Sequence, residues 1–170
     1  SAVGNVEHAR VRELVQEKFG SLAQTGEPAV EETPQVARKI LIRNKELEQS
    51  HVCLGVGSYA QSHDDRYASY VLNTLLGGSM SSRLFQNIRE KRGLAYSVSS
   101  GLSAYRDAGA FTIYAGCAND AVGEVIDLVV EELRGIKQAA VPATELQRSK
   151  DHLKGSLMLG LENTASRMSH

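Results

Sequence analysis

The sequence predicts an α+β domain in which helices cover one face of a mainly antiparallel sheet. Three observations carry this. Residues 95–117 read as a hairpin, with Val98, Leu102, Phe111 and Ile113 of strand type on either side of the turn Arg106-Asp107-Ala108-Gly109. Two long amphipathic helices follow the hairpin, and two shorter helical segments precede it. The helices are therefore grouped between hairpin-linked strands instead of alternating with them, which argues against a parallel sheet.

Each element has its own reason. Ser1-Ala2-Val3-Gly4 reads as the end of a strand. Asn5 is an N-cap for a helix carrying Val11, Leu14, Val15 and Phe19, and Gly20 is its stop. Residues 1–20 are expected to be the tail of a preceding module, which can also pack on the domain that follows. Residues 21–36, with Gly26, Pro28, Pro34 and the glutamates Glu27, Glu31 and Glu32, are expected to be a linker or loop. The main domain is expected over 37–170. Its first strand is expected within 38–59, where Ile40 and Ile42 alternate, followed by Val52, Leu54 and Val56. Arg43 to Ser50 reads either as a hairpin turn or as continued strand.

Asp64-Asp65 opens a helix with the stripe Tyr67, Tyr70, Val71, Thr74 and Leu75, ended by Gly77-Gly78. A short helix from Ser81 to Lys91 turns Leu84, Phe85 and Ile88 inward and stops at Gly93. Beyond the hairpin, Asn119 or Asp120 is expected to cap a helix carrying Val122, Val125, Ile126, Val129, Leu133 and Ile136. Thr144 with Gln147 is expected to form a capping box for a last helix whose stripe is Leu146, Leu153, Leu157, Leu161 and Met168. That pattern is still running at His170, and the chain begins with Ser1, so a piece cut from a longer chain is expected.

Composition bounds the function. The chain has 170 residues, 42% hydrophobic and 23% charged, with a net charge of −1. That is ordinary globular composition, and no field is expected that would draw nucleic acid or an anionic membrane. No apolar run is long enough for a membrane span, and no signal peptide is visible. Cys53 and Cys117 are too few for a disulfide framework and are expected to be buried free thiols. A zinc site usually needs two histidines a helical turn apart. His8, His51, His63, His152 and His170 offer no such pair, and neither HExxH nor HxxEH occurs, so no metal is expected on this chain. Gly77-Gly78-Ser79-Met80-Ser81-Ser82 lacks the lysine of a phosphate loop and reads as a turn with a capping serine.

The densest chemistry lies in residues 83–96, where Arg83, Arg89, Lys91 and Arg92 precede Tyr96 at a helix-to-strand junction. An arginine fork can grip a peptide carbonyl, and a phenol can donate to a developing oxyanion. From pattern alone, a charged helix end and a strand tyrosine in the sheet explain the same residues.

The stretch Leu75-Leu76-Gly77-Gly78-Ser79-Met80-Ser81-Ser82-Arg83-Leu84-Phe85, followed by Ile88-Arg89-Glu90-Lys91-Arg92-Gly93-Leu94-Ala95-Tyr96-Ser97-Val98, resembles the second, zinc-free half-module of the insulinase/pitrilysin metallopeptidases, with the processing peptidases as the nearest subgroup. Gly4-Asn5-Val6, Gln49-Ser50-His51-Val52 and Ala108-Gly109-Ala110-Phe111 extend the resemblance over most of residues 1–140. In that family two α+β modules face each other across a cavity. One supplies HxxEH and its zinc. The other supplies an arginine and a tyrosine seven residues apart, which Arg89 and Tyr96 match. The resemblance implies that Arg89 binds the substrate backbone, that Tyr96 bonds the scissile carbonyl oxygen, and that zinc comes from the other module. It implies as partners a peptide or unfolded protein substrate and an HxxEH-bearing module, in the same full-length chain or in a separate subunit. The family also has inert members, including respiratory-complex core proteins, so a structural role is the alternative.

Overall fold

A computed structural model describes residues 1–23, 26, 40–42 and 48–169. The elements in chain order are α1 (His8–Phe19), β1 (Ser50–Ser58), α2 (Arg66–Leu76), a π-helix (Phe85–Glu90), β2 (Ala95–Ala104), β3 (Gly109–Cys117), a 3₁₀ turn (Asn119–Ala121), α3 (Val122–Gln138), α4 (Ala143–Gly160) and α5 (Thr164–Ser169). They fall into two compact units, Ser1–Glu32 with Lys154–His170, and Thr33–Leu153.

The larger unit holds the sheet. β3 is its central strand and pairs antiparallel with β1 on one side and β2 on the other. Register follows the side-chain pattern: Val52 and Val98 both lie opposite Ala115, and Leu102 lies opposite Phe111. A strand alternates its side chains between two faces. One face therefore gathers Val98, Phe111, Ile113, Ala115 and Cys117, which are buried with Leu76 of α2, Leu84 and Ile88 around the π-helix, and Val125 and Val129 of α3. Burying each large aliphatic side chain stabilises the fold by roughly 1.5–3 kcal/mol. The hairpin read from residues 95–117 is β2–β3, and the inward set Leu84, Phe85 and Ile88 packs into this core. The fold class is the α+β arrangement expected from the sequence.

The C-terminal end of α2 packs closely on β2. The Ser100 backbone N–H donates to the Gly77 carbonyl at 3.1 Å, and Ser100 Oγ donates to Asn73 Oδ1 at 2.8 Å. A Cβ on Gly77 would lie 2.5 Å from the Ser100 nitrogen, so only glycine fits this contact.

Several local expectations are corrected. Of the stripe expected on α2, Thr74 and Leu75 are buried, together with Leu76, whereas Tyr67 and Tyr70 are 64% and 38% exposed. Asn5 does not cap α1, whose N-cap is Glu7. Asn119 does not cap α3, because its Oδ1 accepts a bond from Ser50 Oγ at 2.7 Å. No capping box forms at Thr144, since Gln147 donates forward to Asp151 at 2.8 Å. The last apolar stripe is not one helix. The chain breaks after Gly160, and Asn163 Oδ1 caps α5 by accepting from the Ala165 N–H at 2.8 Å. Cys117 is buried as expected, but Cys53 is exposed, because β1 turns it to the face opposite Val52 and Leu54. Ile40 and Ile42 lie in no strand and are 89% and 80% exposed. Residues 43–47, most of 21–36, and His170 lie outside the described residues.

The smaller unit contains α1, none of whose residues is buried; Leu14, Val15 and Phe19 are 39%, 51% and 59% exposed.

Candidate functional site

The site begins with two residues that must be inside. Leu84 and Ile88 are fully buried, four positions apart, and pin the turn between them to the core. Arg89, the next residue, is consequently directed outward, with its side chain 43% exposed. Its guanidinium carbon lies 4.8 Å from the centroid of the Phe85 ring, a cation–π contact that preorders it. The turn is a π-helix, in which the Lys91 N–H reaches back to the Gln86 carbonyl at 3.0 Å. Such turns are rare and are frequent at functional sites.

Gly93 ends this helix in the left-handed region, at φ +64°. Its N–H donates to the Arg89 carbonyl at 3.0 Å, and the Leu94 N–H donates to the Ile88 carbonyl at 3.1 Å. Beyond it, Ala95 lies opposite Cys117 and Ser97 lies opposite Gly116, so Tyr96 is the extra residue of a β-bulge. Bulges re-aim a side chain out of the regular alternation. Tyr96 is 80% exposed, not packed into the sheet. It lines an open groove of about 480 Å³ with Glu48, Gln49, Gly93, Leu94 and Cys117, and Arg89 is not part of that lining. The two residues thus stand on either side of one glycine turn, both open to solvent.

Arg83 is a residue whose role the sequence did not reveal. Its Nε and Nη2 donate to Oε1 and Oε2 of Glu145, both at 2.7 Å, and Nη1 lies 3.9 Å from Glu132 Oε2. Asn87 Nδ2 also donates to Glu132. Glu145 lies 62 positions downstream of Arg83 and Glu132 lies 45 downstream of Asn87, in helices where a glutamate reads simply as a solvated face. The Arg83 hydrogen bonds hold the Glu145 carboxyl below the ordinary carboxylate range, and the Glu145 bond raises the Arg83 guanidinium.

The sign of the pH dependence follows. A carboxyl whose folded pKa is depressed contributes stability above its unfolded value and loses it as pH falls through the folded one. Glu145→Gln is expected to cost about 1–2 kcal/mol at neutral pH, given partial solvent screening of the pair. The gap between variant and wild type should close as the solution is acidified below the ordinary carboxylate range. Urea unfolding at both conditions measures it; a gap that persists in acid would contradict the charge-based account.

Among the described residues no group of three His, Cys, Asp or Glu side chains can hold a metal ion. His51 Nδ1 is hydrogen-bonded to the Tyr114 hydroxyl at 2.8 Å, and the His63 ring stacks on Tyr59 with centroids 4.0 Å apart. Among the described residues, no helix is long and apolar enough to cross a membrane.

A three-stranded antiparallel sheet packed on helices is the α+β half-module fold that residues 75–98 resemble. The family described as the peptidase M16 inactive domain matches residues 1–153, and the chain belongs to this family, the inactive half-module of the insulinase-type peptidases. It is 43% identical over 169 residues to a protein named uncharacterized zinc protease YmxG from Bacillus subtilis (strain 168), covering 99% of this chain and 41% of that protein. A second relative, the uncharacterized zinc protease SCO5738 of Streptomyces coelicolor, is 39% identical over 99% of this chain and 38% of its own length. The chain therefore spans about two fifths of these relatives. Among solved structures, a protease from Helicobacter pylori superposes with a TM-score of 0.80 at 26% identity, covering 98% of this chain and 42% of that one. A chain of complex III2 from Candida albicans superposes at 0.82 with 17% identity, over 98% of this chain and 42% of its own, a likeness of fold alone.

Proposed function

We propose that this chain is the substrate-binding, transition-state-assisting half of a zinc endopeptidase acting on peptides or unfolded protein segments, and that it does not cleave by itself. The observation that carries the reading is the bulge at Tyr96, which leaves a phenol 80% exposed beside a groove instead of packing it in the sheet. Other tyrosines of the chain are exposed too, but this one is turned out of a strand by a bulge and lines a groove.

In this reading the zinc and the proton-accepting glutamate belong to an HxxEH-bearing module, carried upstream in the parent chain or by a partner subunit. Arg89, preordered on Phe85, donates from its guanidinium to a backbone carbonyl of the bound peptide. Tyr96 donates its hydroxyl proton in a hydrogen bond to the scissile carbonyl oxygen as that oxygen gains charge. Closure of two modules on the peptide excludes water and selects segments flexible enough to be enclosed.

The test is complementation. The chain alone should leave unstructured peptides intact. Mixed with an HxxEH module of the family, it should restore cleavage that neither part shows singly, and Arg89→Ala should weaken peptide binding in the mixture. Cleavage by the chain alone, or no restoration with a folded partner that binds it, would overturn the reading.

A further inference from the structure

We propose that Arg83 is a positioning residue: its paired hydrogen bonds to Glu145 lock the π-helix against α3 and α4, and so set where Arg89 and Tyr96 stand. This rests on the peptidase reading for its functional consequence, but its structural part stands alone. The geometry is specific. Both guanidinium donors meet both carboxylate oxygens at 2.7 Å, a fork that fixes angle as well as distance. Glu145 opens α4 and Glu132 sits on α3, so one guanidinium joins two helices to the start of the turn that carries Arg89.

The π-helix is held from its interior too. Asn87 donates to Glu132, accepts from Lys91 Nζ at 2.9 Å on its side-chain oxygen, and accepts from Arg92 Nη1 at 3.2 Å on its carbonyl. A π turn has poorer hydrogen-bond geometry than an α turn and persists where its surroundings over-determine it. Arg83, Glu132 and Glu145 side chains are only 22%, 18% and 25% exposed, so solvent and salt weaken this clamp less than a surface pair. The bonds that end the turn, from Lys91, Gly93 and Leu94 to Gln86, Arg89 and Ile88, are the ones the clamp protects, and they lead directly into the bulge.

The experiment uses the full-length parent protein with Arg83→Lys, which keeps the charge but not the fork, and the milder Glu145→Gln. Amide hydrogen exchange at Lys91, Gly93 and Leu94 is compared with that at Val125 and Val129 of α3. Both variants should lose protection at the first three amides by roughly tenfold beyond whatever the global loss of stability removes at the two α3 amides, the equivalent of losing one charge-assisted bond locally. Turnover of an unstructured peptide should fall about as much, with KM nearly constant. Equal loss at all five amides would make the pair a general stabiliser, and full retention with lysine would make it a matter of charge; either overturns the proposal, as does exchange at the turn without loss of turnover. A wild-type protein that cleaves nothing would sink the peptidase reading instead, leaving the exchange data to decide the clamp.

Discussion

In the proposed two-module peptidase, Tyr96→Phe is expected to lower turnover by roughly a hundred- to thousand-fold, the usual loss when one donor to a developing oxyanion is removed. KM should change little, because the bond strengthens only as the carbonyl oxygen becomes charged. Stability should not change, since the hydroxyl is in water and the side chain is 80% exposed. The substitution removes one oxygen and nothing else from a residue that the bulge already holds out of the sheet. Steady-state kinetics together with a thermal melt measure all three quantities. An unchanged turnover would return Tyr96 to a structural role.

Ile88→Ala is the largest expected effect on stability. Ile88 is fully buried between the π-helix and the sheet, among Leu84, Val98 and Ala115 in the core cluster. Truncation removes the transfer energy of the lost methylenes and leaves a cavity, together about 2–5 kcal/mol. Its neighbour makes the contrast. Arg89→Ala removes an exposed side chain that makes a cation–π contact with Phe85 and a 3.9 Å ion pair with Glu90, and should cost no more than about 1 kcal/mol of stability while weakening peptide binding. Urea unfolding of both variants separates the adjacent positions. Equal destabilisation by the two would mean that the turn does not divide inward from outward as described.

What was legible in the sequence was whatever depends on local pattern. Alternation in 95–117 and the turn read at Arg106-Asp107-Ala108-Gly109, whose glycine already belongs to β3, mark β2 and β3; Leu84, Phe85 and Ile88 mark the inward face of the short helix; Gly93 marks its end, because only a residue tolerant of positive φ terminates it this way. The candidate pair Arg89 and Tyr96 came from the resemblance carried by residues 75–98, not from periodicity. What was not legible depends on partners far away in the chain. Asn119 is a good cap by type, but Ser50, 69 positions away, takes its oxygen. Arg83 reads like any other base in a charged segment until Glu145 is seen opposite it. Tyr67 and Tyr70 fit an apolar stripe by spacing, yet α2 meets β2 through Gly77, Asn73 and Ser100 at its other end. The π register and the bulge leave no mark in composition, because each is a one-residue departure from a regular ladder whose cost is offset by the surrounding packing.

The proposed division of labour places the phenol of residue 96 beside a metal that another module carries. Loading an HxxEH module with paramagnetic manganese in place of zinc, adding this chain and an uncleavable peptide, and recording the Tyr96 ring resonances measures that proximity. Strong broadening of those resonances, absent when the metal is diamagnetic, is the predicted result. Ring signals that stay sharp in a complex shown to have formed would contradict the account.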